Sequence, residues 1–146
     1  MSKTIKSFSL GLLKPDCQSR RLIDKILHMI VDAGLEIVAI KTVRLNSTQI
    51  KAFYSQCIGE DYFEEMSSFL QSGYVTAYIV RAEDAISRLN SLVGKTDPKF
   101  ARPGTIRALG IDIRHNLAHS SESHKEFLKE ARIIFSDKEL LSIGAI

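Results

Sequence analysis

The chain has 146 residues, 45% of them hydrophobic and 25% charged, with three prolines and eight glycines. That is the composition of one globular domain over 1–146 with enough chain for a real core, not of a disordered or low-complexity protein. Its net charge of +3 suits anionic small molecules but lacks the strong basic face of a dedicated nucleic-acid binder.

Apolar runs such as Tyr78-Ile79-Val80 are far too short to span a bilayer. The start, Met1-Ser2-Lys3-Thr4, lacks the apolar core of a signal peptide. Cys17 and Cys57 make no CxxC pair and no metal site by themselves. A cytoplasmic protein with two reduced thiols and no membrane partner is expected.

In chain order, Phe8, Leu10 and Leu12 alternate over Lys6 to Leu13 and predict a strand. Leu22, Ile23, Ile26, Met29 and Ile30 fall at helical spacing within Arg21 to Ala33, and Gly34 sits where a helix stops. Leu35 to Leu45 reads as a second strand. Asn46-Ser47-Thr48 caps a helix through Ile50, Phe53 and Tyr54, and a short helix carrying Phe63, Met66 and Phe69 follows. Tyr74 to Arg81 is a third strand, and Ala82 to Val93 a helix. The stretch from Gly94 to Gly104 is irregular, Ile111 to Ile113 a brief strand, and Ser123 to Phe135 a closing helix. This order predicts an α+β fold with a ferredoxin-like βαββαβ core, an antiparallel four-stranded sheet with helices packed on its faces.

The usual nucleotide signatures are missing: there is no GxxxxGK[ST] loop, no GxGxxG turn and no kinase catalytic loop. Of the four histidines, His28 reads as a structural residue of the first helix. His115 and His119, four apart, could share a metal on a helix, but no glutamate of an HExxH motif and no third ligand accompanies them. His119 lies in Arg114-His115-Asn116-Leu117-Ala118-His119-Ser120-Ser121-Glu122-Ser123, a serine-rich helix start. Glu130, within the following helix, could return to orient its imidazole. A histidine held in one tautomer by a carboxylate can serve as a nucleophile.

Lys14-Pro15-Asp16, Phe53-Tyr54, Tyr62-Phe63, Ser72-Gly73, Gly94-Lys95-Thr96-Asp97-Pro98, Pro103-Gly104-Thr105-Ile106-Arg107 and Asn116-Leu117-Ala118-His119 occur in one series. Over about Phe8 to Phe135 this series resembles the nucleoside diphosphate kinase family. The resemblance implies transfer of the γ-phosphate of a nucleoside triphosphate to a nucleoside diphosphate by a ping-pong route, through Nδ1 of His119 as phosphohistidine. It implies that Glu130 orients the histidine and that Lys14, Tyr54 and Arg107 stand on the phosphate side, where charge spreads over the transferring group. Thr96 and Asn116 match positions contacting phosphate and sugar hydroxyls, and Tyr62 matches the aromatic that stacks on the base. Position 90 is a further nucleotide-side position. The expected partners are ATP and other nucleoside di- and triphosphates. Mg2+ is the expected cofactor, held mainly by the nucleotide phosphates and not by a protein metal site. A homo-oligomer is expected.

The sequence departs from that pattern in four places. Asn90 stands where the family places a phosphate-contacting arginine, six residues before the threonine, with Arg88 two residues away. Ala108-Leu109-Gly110 replaces Gly-Asp-Phe, and the spacing to His119 is about one residue shorter. Ser120 stands for glycine, and Glu122 for aspartate. A nucleotide-binding regulatory module of the same fold with weak or lost turnover is the alternative reading, supported by Asn90 and Leu109. A single-stranded nucleic-acid binder using Tyr62 is a third.

Overall fold

The alternation that predicts the first strand also decides where it sits. In the computed structural model, which describes residues 5–146, β1 (Ser7–Leu13) runs through the middle of one four-stranded antiparallel sheet. It pairs with β3 (Val75–Ala82) on one side and β4 (Ala118–Ser120) on the other, while β2 (Glu36–Val43) pairs with the far side of β3. The order β2-β3-β1-β4 is that of a ferredoxin-like core.

Helices cover both faces because both faces of the central strands are apolar. Leu10, Leu12, Val75, Ala77 and Ile79 pack against α3 (Ser47–Phe53), α4 (Phe63–Gln71), α6 (His124–Ile134) and α7 (Asp137–Ser142). Leu13, Tyr78 and Val80 face the other way, towards Ile26 and Ile30 of α2 (Ile23–Asp32) and Leu89 and Val93 of α5 (Ala85–Val93). Each fully buried Leu, Ile or Val among them contributes about 1.5–3 kcal/mol.

Gly11 is fixed by a close approach. It pairs with Tyr78 on one side and Ser120 on the other, and the buried Tyr78 ring lies across it. A Cβ at Gly11 would overlap Tyr78 Cζ and Oη. Gly11→Ala is therefore expected to cost at least about 2 kcal/mol by overpacking, a fall in Tm of at least about 5 °C at this chain length. An unchanged thermal melt would contradict this packing.

Three local findings differ from the sequence reading. Ile111 to Ile113 is not a strand: Asp112 Oδ1 accepts the Arg114 and His115 backbone N–H groups at 2.9 and 2.8 Å, an Asx-type turn that competes with ladder pairing. The fourth strand is β4, three residues long, too short for periodicity to disclose. So His119 belongs to an edge strand rather than a helix start; α6 begins after Ser123, whose side chain caps it through Glu126 N. Two short helices also went unread, α1 (Pro15–Ser19) and α7. Proline at the first helical position and the Ser136-to-Glu139 capping box are the signals that announce them. No helix among the described residues is long and apolar enough to cross a membrane.

Candidate active site

The site forms where β4 meets the end of β1 and the opening turn of α1. His119 pairs with Leu12 in the sheet. Its Nε2–H donates to Glu130 Oε2 at 3.0 Å, with the carboxylate only 4% exposed and the imidazole 15%. Glu130 projects back from α6, and its second oxygen accepts the Ser121 hydroxyl at 2.6 Å. A carboxylate acceptor fixes the proton on Nε2 and leaves Nδ1 with its lone pair. Phe53 and Tyr54, at the end of α3, meet the imidazole edge-on at centroid distances of 5.0 and 5.6 Å, which holds the ring plane. The two site residues 11 apart in sequence are thus locked together.

A cavity of about 390 Å³ opens beside the imidazole, lined by His119, Arg107, Thr96, Asn90, Ser120 and Glu122. Arg107 is held by two backbone carbonyls: Nε donates to Ala118 O at 3.1 Å and Nη1 to Gly94 O at 3.0 Å. Gly94 can offer that carbonyl because it has φ +89° and would crowd Thr105 with any side chain. Burial lowers the Arg107 pKa yet leaves a guanidinium cationic at neutral pH.

Lys14 caps the junction of β1 and α1. Its Nζ donates to Asn116 Oδ1 at 2.9 Å. Burial, then the neighbouring Arg107 charge, pushes its pKa down to about 8. Without nucleotide, Lys14 loses its proton as pH rises through about 8, so kcat/KM for an anionic substrate should fall above that pH. The unfolded lysine keeps its proton to about 10.5, so this group makes stability rise with pH between those values. A pH profile tests the first statement: the fall that begins near pH 8 should disappear in Lys14→Met.

The remaining expected residues divide. Thr96 and Asn90 line the cavity. Asn116 is buried with both ends of its carboxamide engaged, Oδ1 by Lys14 and Nδ2 by Thr96 O at 2.8 Å and Ile113 O at 3.2 Å. It therefore ties the loop before β4 to Lys14. Tyr54 is buried behind the imidazole, with no partner for its hydroxyl among the described residues, and burial raises its pKa. Tyr62 lies at the start of α4 with the Arg114 guanidinium 4.3 Å above its ring, outside the lining of the cavity beside His119.

Two departures from the family pattern prove to touch. The Ser120 hydroxyl donates to Asn90 Oδ1 at 2.6 Å, a pair that spacing 30 residues apart does not announce. Arg88 does not stand in for a cation at position 90: it donates to Ala33 O at 2.8 Å, at the end of α2. Lys95 and Arg102 instead line an adjoining cleft of about 610 Å³ that shares Asn90, Gly94 and Glu122 with the His119 cavity.

His115 and His119 share no metal geometry, since His115 Nδ1 meets Asp112 at 2.9 Å while His119 meets Glu130. Among the described residues no three His, Cys, Asp or Glu side chains converge as metal ligands. His28 is exposed, bonded to Asp24 O. Cys17 and Cys57 are free thiols.

A family model described as nucleoside diphosphate kinase matches residues 8–140. The nucleoside diphosphate kinase of Psychromonas ingrahamii is 39% identical over 133 residues, 90% of this chain and 92% of that relative. The one from Methanocaldococcus jannaschii is 34% identical over 137 residues, 93% and 98% of the two chains. Among solved structures, the Aquifex aeolicus nucleoside diphosphate kinase matches with a TM-score of 0.88 at 33% identity, covering 92% of this chain and 99% of that one. A halophilic nucleoside diphosphate kinase from Halobacterium salinarum, solved in complex with CDP, gives 0.88 at 32%, covering 92% and 91%.

Proposed function

The chain belongs to the nucleoside diphosphate kinase family, phosphotransferases that act on nucleoside di- and triphosphates, and we propose that His119 is the residue that carries the phosphoryl group between nucleotides. The observation that carries this reading is the His119–Glu130 pair, which leaves Nδ1 unprotonated on a ring that lines one cavity with Arg107.

In the first half-reaction Nδ1 attacks the γ-phosphorus of a nucleoside triphosphate. The P–N bond forms as the bond to the β,γ-bridging oxygen breaks, and the diphosphate departs with that electron pair. The Nε2 proton stays in its bond to Glu130, whose carboxylate stabilises the positive charge that develops on the ring. In the second, the terminal oxygen of another nucleoside diphosphate attacks the same phosphorus and the P–N pair returns to His119. Arg107 and Lys14 supply fixed positive charge to the equatorial oxygens, a contribution of several kcal/mol in a partly dry site. Stacking on Tyr62 would hold the base without reading its identity, provided Arg114 shares the ring or gives way.

Glu122 is the one carboxylate lining the 390 Å³ cavity among the described residues; Glu126 and Glu130 join it only in the smaller cavity of about 250 Å³ that also meets His119. A single carboxylate fits a Mg2+ ion held chiefly by the nucleotide phosphates, and such an ion neutralises phosphate charge when bound. Thr96 and the Asn90–Ser120 pair complete the phosphate side with neutral donors. A regulatory module without turnover has no use for a histidine oriented in this way.

Two further readings belong to the same proposal. We place the protein in the cytoplasm, as its free thiols suit. We also expect it to self-associate: β2 is a sheet edge with Ile40 exposed, and sedimentation of the purified chain tests this.

The reaction is tested by initial rates with a triphosphate donor and a diphosphate acceptor carrying different bases. Parallel double-reciprocal lines are expected; intersecting lines would show direct transfer in a ternary complex instead.

A further inference from the structure

Between Asn116 and His119 the backbone makes a γ-turn. Leu117 has φ +74°, and Ala118 N–H donates back to Asn116 O at 2.9 Å. A non-glycine residue at the centre of such a turn is strained and persists only where its surroundings over-determine it. Leu117 is fully buried, so the core needs its side chain while the turn would favour glycine.

Both backbone groups of Leu117 are held from one place, the Lys14-Pro15-Asp16 segment about 100 residues earlier. Its N–H donates to Asp16 Oδ2 at 3.0 Å, and its carbonyl accepts Lys14 N–H at 2.8 Å. Asp16 is 6% exposed, and Pro15 at the first position of α1 presets the backbone that presents it.

What the turn sets is the whole site. On one side Asn116 binds the Lys14 ammonium. On the other, Ala118 O receives Arg107 Nε, and His119 follows in register with Leu12. We infer that Asp16 is a positioning residue: its carboxylate, as acceptor for the Leu117 amide, locks the strained turn that places Lys14, Arg107 and His119 around one phosphoryl group. This rests on the reading of His119 given above. Without the acceptor the buried Leu117 N–H has no partner, and the turn can relax by rotating the peptide that carries it, moving Ala118 O and β4 together.

The acceptor account separates from a charge account by substitution. Asp16→Asn keeps an oxygen for the Leu117 amide and should retain kcat within about threefold of the native enzyme. Asp16→Ala should lose more than about tenfold in kcat, and the Leu117 amide should exchange its hydrogen more than tenfold faster, read by NMR. Adding Leu117→Gly should raise kcat over Asp16→Ala alone, because glycine takes φ > 0 unaided, while lowering it or leaving it level in the native background. Assays are run below the lowest melting temperature of the set.

A loss beyond tenfold in Asp16→Asn, or a double variant no better than Asp16→Ala, overturns the inference. If Asp16→Ala does not fold, Asp16→Asn decides, by kcat and by the protection of the Leu117 amide. Amide exchange reports the clamp whatever His119 does. A His119→Ala variant that still turns over would instead sink the phosphohistidine reading and leave the clamp standing.

Discussion

His119→Ala should leave a folded protein in which phosphoryl transfer falls by at least about 10⁴-fold, since removal of a nucleophile leaves only binding and electrostatic stabilisation. The loss should appear in kcat while nucleotide binding, measured by equilibrium titration, stays within a few-fold, because Arg107 and Lys14 are anchored by backbone carbonyls and Asn116 and not by the imidazole. Some stability should go as well. Glu130 is buried and would keep the Ser121 hydroxyl but lose the imidazole N–H, a change worth about 1–3 kcal/mol. A variant with appreciable residual kcat would place the nucleophile elsewhere.

Glu130 should give the second-largest effect, and a graded one. Glu130→Ala removes the acceptor of both the imidazole N–H and the Ser121 hydroxyl. It should lower kcat by about 10²–10³-fold, as loss of a preorganised electrostatic partner does, and stability by about 2–3 kcal/mol through two buried donors left unpaired. Glu130→Gln is milder on structure. The amide oxygen can still accept from Nε2–H, and Ser121 Oγ, already 3.4 Å from Leu10 O, can turn its proton there and accept from the amide. The tautomer survives, but the negative charge that stabilises the developing imidazolium is gone, so kcat should fall about 10-fold with little change in Tm. Rates and melting curves of the two variants check the order. Equal losses in both would mean that orientation contributes nothing beyond charge.

The sheet and its covering helices were legible because their signals are local: alternation in β1, helical spacing in α2, caps at Asn46 and Ser123. The candidate site stood in the sequence only as residue types in order; the structure sets His119, Arg107 and Thr96 on one cavity, Glu130 against the imidazole and Lys14 on Asn116. The geometry between them was not legible, because it is made by contacts remote in the chain. Lys14 reaches Asn116 across 102 residues, and Asp16 reaches Leu117 across 101. Asn90 looked like a lost cation and Ser120 like a lost glycine. Their hydrogen bond makes them one feature, which no pattern along a single chain encodes. Arg88 could be excluded as a substitute only once its partner at the end of α2 was known. β4 escaped because three residues carry no period, and the turn at Leu117 because leucine gives no sign of positive φ.

The central claim is that His119 is phosphorylated in the course of the reaction, and the most direct measurement is the adduct itself. Incubated with γ-labelled ATP and Mg2+, the protein should take up close to one phosphoryl group per chain, stable in base and labile in acid as a phosphoramidate is. The label should leave on addition of unlabelled GDP and appear in GTP. Absence of the adduct, or an adduct of the same yield on His119→Ala, would contradict the account.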